Sequence, residues 1–150
     1  MTALGGCADT NAVPILITYL QDLSHPGPAG VAAEALEKLG AREAIPQLIQ
    51  AVRGCDPLCT ARAASALSSF GEKQVSREWA ANVLARPEPT KIDVRSVPDW
   101  MFRQYAVRVF GDIGTRADIP ALAAMKNDGT VVSLEVRKAI AAIEAREPKQ

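Results

Sequence analysis

The same phrase occurs three times along the chain. Ala12-Val13-Pro14-Ile15-Leu16-Ile17 returns as Ala44-Ile45-Pro46-Gln47-Leu48-Ile49 and again as Asp118-Ile119-Pro120-Ala121-Leu122-Ala123. Pro14 and Pro46 lie 32 residues apart, and Pro46 and Pro120 lie 74 apart, which is two units plus an insertion. A second phrase alternates with the first: Ala32-Ala33-Glu34-Ala35-Leu36-Glu37-Lys38-Leu39-Gly40, then Ala63-Ala64-Ser65-Ala66-Leu67-Ser68-Ser69-Phe70-Gly71, then Ala106-Val107-Arg108-Val109-Phe110-Gly111-Asp112-Ile113-Gly114. A repeat of this period restricts the fold severely. One copy cannot bury its apolar face alone, so the copies must stack, and about three or more are needed for stability.

Each phrase has a physical reading. Apolar residues spaced by three and four mark an amphipathic helix. Proline is tolerated in the first helical turn, where its missing N–H has no partner. Glycine after the last apolar position supplies a left-handed stop. Thr115 with Asp118 has the form of a capping box. The unit is therefore helix, turn, helix, glycine. First helices are expected at about 10–22, 43–53, 76–86 and 116–127, and second helices at about 29–39, 59–70, 100–113 and 133–146. This gives one domain of four repeats, at about 10–40, 43–71, 75–114 (with an insertion at 86–99) and 115–146. The third is the most altered, with Val75-Ser76-Arg77-Glu78-Trp79 where the proline phrase should stand.

Composition agrees with closely packed helices. Apolar residues make up 48% of the chain and aromatics 5%, so the core must be built from Ala, Leu, Val and Ile. Seventeen basic residues balance seventeen acidic ones, which leaves no electrostatic footprint for nucleic acid or an anionic membrane. No apolar run approaches the roughly 20 residues that span a bilayer. Three cysteines, Cys7, Cys55 and Cys59, do not make a disulfide framework, and a reducing cytoplasm is the simplest setting. Leu4-Gly5-Gly6-Cys7 has the form of a lipoprotein cleavage box, but such a box should follow an apolar stretch and only three residues precede it here. A flexible, small-residue start is the plainer reading.

The alternating phrases resemble the HEAT-repeat superfamily, and most closely its short bacterial type, first known from phycobilisome lyases. Phe102-Arg103-Gln104-Tyr105-Ala106-Val107-Arg108-Val109-Phe110-Gly111-Asp112-Ile113-Gly114 is similar to the second helix of that repeat, and Val136-Arg137 opens another copy. The usual Val-Arg pair is replaced by Pro28-Ala29 and Cys59-Thr60 in the first two units, which predicts less firm helix starts there. The resemblance implies an all-α solenoid whose second helices line a concave face. Most proteins of this kind bind other proteins; some lyase subunits handle bilin chromophores. A HEAT-like iron hydroxylase would need several histidines, and His25 is the only one.

Few residues point to chemistry. His25 lies in Ser24-His25-Pro26-Gly27-Pro28, which reads as a solvated turn. Cys55 and Cys59 flank Asp56-Pro57-Leu58 with no second ligand cluster, so they read as free, partly buried thiols rather than a zinc site or redox pair. No catalytic constellation, metal set or cofactor site is expected. Counting back six residues from the closing glycines gives Glu34, Ser65 and Arg108, and counting back nine gives Val31, Arg62 and Tyr105. These positions fall outside the Ala-Leu core spacing. Arg62, Arg103, Tyr105 and Arg108, with Trp100 at the edge of the insertion, are the candidate partner-binding residues; Tyr and Arg are favoured interface anchors. The expected function is a non-catalytic binder of a protein partner, acting as an adaptor, scaffold or immunity-type inhibitor. The alternative is a bilin-lyase-like, chromophore-handling subunit. Ile15, Ile17 and Tyr19 in the first unit leave both monomer and homodimer open.

Overall fold

The computed structural model describes residues 11–22, 24–86, 99–125 and 131–148. Among these residues there are eight α-helices and no strand: α1 (Ala12–Gln21), α2 (Pro26–Leu39), α3 (Ile45–Gly54), α4 (Pro57–Ser69), α5 (Gln74–Ala85), α6 (Asp99–Ile113), α7 (Ile119–Ala124) and α8 (Val131–Arg146). They alternate as the repeat predicts, with odd-numbered first helices and even-numbered second helices. The even helices pack in series, α2 on α4, α4 on α6 and α6 on α8, with the odd helices against them. The insertion at 86–99 lies almost wholly outside the described residues, as does Cys7.

Local sequence explains the boundaries. The Ile-Pro phrases open α3 and α7, each entered through a 3-10 turn, Arg42–Ala44 and Arg116–Asp118. The capping box is present: Thr115 N–H donates to Asp118 Oδ2 at 2.8 Å. α4 begins firmly despite its divergent start. Asp56 accepts from the N–H groups of Leu58 (3.4 Å) and Cys59 (3.1 Å), and Pro57 fills the first turn. The Ser24–Pro28 segment is not entirely a turn. Pro26, Gly27 and Pro28 form the first turn of α2, where neither proline needs an N–H partner.

Gly40 (φ +65°) and Gly71 (φ +82°) take the left-handed conformation. Ala41 N–H bonds Leu36 O and Gly40 N–H bonds Glu37 O; Glu72 and Gly71 repeat the pattern on Leu67 and Ser68. These are paired six-to-one and five-to-two closures of a helix end. Gly114 differs. It has no positive φ, and its role is close approach, since an added Cβ would collide with Phe110 O and meet Ile143 Cδ1 at 3.1 Å.

Two apolar cores result. Val13, Leu20, Leu36, Leu48, Ala51, Ala63 and Leu67 belong to the first, and Val83, Val107, Val109, Leu122, Val136 and Ile143 to the second. Trp79 packs on the second core. In α1, Ile17 packs on the first core, while Ile15 and Tyr19 stay exposed. No helix among the described residues is long and apolar enough to cross a membrane.

Substitutions at the stops separate the two roles of glycine. Gly40→Ala meets no neighbouring atom within 4 Å, so its cost is the left-handed strain alone, about 1–2 kcal/mol. Gly114→Ala meets a backbone collision in place of that strain and should cost more. Urea denaturation of the two variants should rank them in that order.

Candidate functional site

The register that seals the cores also sets what the second helices turn outward. Glu34, Glu37 and Lys38 of α2, Arg62, Ser65 and Ser69 of α4, Tyr105, Arg108 and Asp112 of α6, and Glu135, Lys138 and Arg146 of α8 line one groove of about 700 Å³. Its remaining lining is small: Gly111, Ala139 and Ala142. The even helices alone supply these walls, because they stack in series.

Of the five candidate residues, the structure brings Arg62, Tyr105 and Arg108 together in this groove. The Arg108 guanidinium lies over the Tyr105 ring, 5.7 Å from its centre. Trp100 is 45% exposed at the start of α6 and is not part of the groove. Arg103 lies outside the groove. It is 8% exposed, donates from Nε to Asp99 Oδ2 at 2.6 Å and from Nη2 to Arg86 O at 2.8 Å. It straps the start of α6 to the end of α5. The reason is periodicity. Arg103 stands four residues before Val107 and three before Ala106, both fully buried, so it shares their inward face.

The groove's charges mostly answer one another. Lys38 Nζ is 2.8 Å from Glu34 Oε1, and this contact holds the Glu34 carboxyl below its usual value. Arg108 Nε and Lys138 Nζ approach the two oxygens of Glu135 at 3.6 and 3.3 Å. Ser69 donates to Glu37. Arg146 donates to the carbonyls of Gly111 and Gly114. Arg62 is less satisfied. Its Nε is buried without a hydrogen-bond partner, and Glu34 Oε2 is 3.9 Å away. Asp112 is exposed as a residue, yet its carboxyl is the one in the groove shifted upward. Burial pushes its carboxyl above the ordinary value, against the pull of the Ser68 hydroxyl and the Arg146 and Arg108 charges. Ser68 Oγ is 2.8 Å from both Asp112 Oδ2 and Ser65 O, and its single proton can serve only one of them at a time.

Two features escaped the sequence reading. Arg77 of the altered third unit pairs with Asp118 of the next and lies over the Phe110 ring, 5.4 Å from its centre. Burial would raise the Asp118 carboxyl, but Arg77 and Thr115 together hold it below its ordinary value. The second is a disulfide. Cys55 and Cys59 are not free thiols; they are bonded, with Cα atoms 5.8 Å apart. Their sulfurs and the Asp56 carboxylate cluster within 4.8 Å, but bonded sulfurs are not thiolate ligands. The two cysteines meet because the chain reverses between them, with Cys55 and Asp56 extended and α4 opening at Pro57.

Residues 29–54 match the family model of the PBS lyase HEAT-like repeat. The matched stretch runs through most of α2 and all of α3, one second helix and the next first helix. No curated protein and no solved structure gives a significant match. The helix pairs form an all-α stack consistent with a HEAT-like solenoid, and this match supports a HEAT-like repeat within it.

Two arginines test the division between frame and surface. Arg103→Ala leaves Asp99 and Arg86 O without their partner and should cost about 2 kcal/mol. Arg108→Ala removes a half-exposed pair and should change stability by less than about 1 kcal/mol. Chemical denaturation of each distinguishes them.

Asp112→Asn provides a pH test. A carboxyl raised in the folded state makes folding weaker as pH rises from its unfolded value through its folded one. The amide carries no charge to desolvate, and it can donate to Ser68 while Ser68 donates to Ser65 O. The variant should melt higher than the parent at neutral pH, and the gap should close as pH falls to where Asp112 is protonated. Thermal melts across pH measure this.

Proposed function

We propose that the groove along α2, α4, α6 and α8 holds a segment of a protein partner, and that the chain contributes recognition rather than catalysis. The observation that supports this reading is the composition of the groove. Tyr105, Arg62 and Arg108 stand on adjacent second helices among carboxylates, with Gly111, Ala139 and Ala142 also in the lining. Stacked repeats commonly present such extended surfaces to partners, and Tyr and Arg are the side chains that most often anchor an interface. Arg62 and Arg108 can trade their present weak pairings, at 3.9 and 3.6 Å, for carboxylates of a partner.

A second reading is a subunit that handles a linear tetrapyrrole. It is favoured by the lyase-type repeat that residues 29–54 match. It also draws on the size of the groove, since about 700 Å³ lies within the range of small-molecule sites.

Affinity capture with the native chain and with the Arg62→Ala, Tyr105→Ala, Arg108→Ala triple variant tests the first reading. A protein retained by the native form should be lost with the variant, whose melting temperature should stay close to native. Retention by both forms would exclude the groove as the binding surface. No capture, together with an absorbance shift on titrating a linear tetrapyrrole, would support the second reading instead.

A further inference from the structure

The Cys55–Cys59 bond lies where the chain reverses between α3 and α4. Cys55 follows the last residue of α3, and Cys59 sits in the first turn of α4. Cys59 is buried and Cys55 half-buried, so an incoming thiolate has its access at Cys55 Sγ. The first turn of α4 also touches α2, the helix on which Arg62 rests. A Cβ at Gly30 of α2 would lie 3.4 Å from Cys59 Cα and 3.3 Å from Arg62 Nη1. The backbone of Cys59 and the guanidinium of Arg62 thus rest on the same glycine, with Arg62 three residues further along the helix.

We propose that Cys55 and Cys59 form a redox-responsive dithiol site. Its disulfide exchanges with a low-molecular-weight thiol–disulfide couple, and its state sets how firmly the start of α4, and Arg62 with it, is held. In the oxidising direction the Cys55 thiolate attacks one sulfur of the small disulfide, forming a mixed disulfide and releasing one thiol. The Cys59 thiolate then attacks the Cys55 sulfur, closing the intramolecular bond and releasing the second thiol. Two electrons pass from the protein sulfurs to the small disulfide. The two cysteine protons end on the two released thiols. Reduction is the reverse.

Two observations favour reversibility over a permanent staple. The ring spans only residues 55–59, and closing so short a loop constrains the unfolded chain much less than closing a long one. The turn also has its own supports: the Asp56 cap, Pro57 at the helix start, and Thr60 Oγ1 donating to Cys55 O at 3.3 Å. Reduction therefore loosens the turn without dismantling it and leaves Cys55 and Cys59 on either side of the Asp56 cap, ready to close again.

The test needs no groove partner, so it stands or falls independently of the proposed function. The full chain carrying Cys7→Ser is equilibrated in mixtures of reduced and oxidised glutathione, trapped with a maleimide and weighed by mass spectrometry. Zero-label and two-label species should interconvert across these mixtures. Hydrogen exchange of the two forms should show a several-fold faster exchange in residues 55–62 on reduction, with α8 unchanged. The Cys55→Ser, Cys59→Ser variant should match the reduced form in either buffer. Two labels under fully oxidising conditions, a bond that no glutathione mixture reduces, or identical exchange in the two forms would each overturn the proposal.

Discussion

The structure depends on one helix that is almost free of large side chains. α4 is buried along most of its length, and Leu67 is the largest of its fully buried residues. It packs against α2 and α3 on one side of the stack and α5 and α6 on the other. Cys59, Ala63, Ala66 and Leu67 complete the first core. Ala61, Ala64, Ser65 and Ser68 are buried outside both cores, at spacings of three, one and three that place them along one stripe of the helix. Bulkier residues on that stripe would drive the two halves apart, because a packed interior cannot absorb extra volume without moving backbone. The polar contact that remains there, Ser68 with Asp112, carries a cost: a carboxylate kept partly out of water. The groove exists because this junction brings α4 and α6 close, so that Arg62 and Ser65 reach the same space as Tyr105 and Arg108.

Much of this was legible in the chain. The helix pairs fall within a few residues of the places that the Ile-Pro and Ala-Leu-Gly phrases set, since periodicity, N-terminal proline and closing glycine act locally and agree with the repeat. The surface stripe was legible for the same reason. Glu34, Ser65 and Arg108, six residues before each closing glycine, and Arg62 and Tyr105, nine before, all line the groove. Val31, at the equivalent position in α2, is exposed outside it. What stayed hidden was pairing across elements. Arg103 reads as a surface cation until Asp99 and the Arg86 carbonyl are seen beside it. Gly114 reads as another left-handed stop until α8 is placed against it. Arg77 occupies a degraded repeat position, and only the fold shows it reaching Asp118 and Phe110.

The disulfide was hidden for a different reason. An odd cysteine count in a chain of this size was read as a sign of a reducing compartment. The bond between Cys55 and Cys59 removes that argument without supplying its opposite, because a short-ring disulfide that exchanges with small thiols is compatible with more than one redox setting. What the bond does define is local. It joins the exit of α3 to the entry of α4, and so acts on the helix that unites the two cores.

The electrostatics of the groove then bear on selectivity. Glu34 with Lys38, and Glu135 with Arg108 and Lys138, are pairs already made in the free protein. A partner gains little from a single charge placed against them, since one existing contact is exchanged for another. A partner that presents both signs in the right order exchanges them all at once, and a partner of one sign leaves charges of its own facing like charges across the groove. For the proposed binding role, such an arrangement would disfavour polyanions and polycations alike and favour a mixed-charge segment, since electrostatic complementarity confers specificity more than raw affinity. Arg62, whose contact with Glu34 at 3.9 Å is longer than those of Lys38, Arg108 and Lys138, is the groove cation that would gain most from a partner carboxylate in the proposed role.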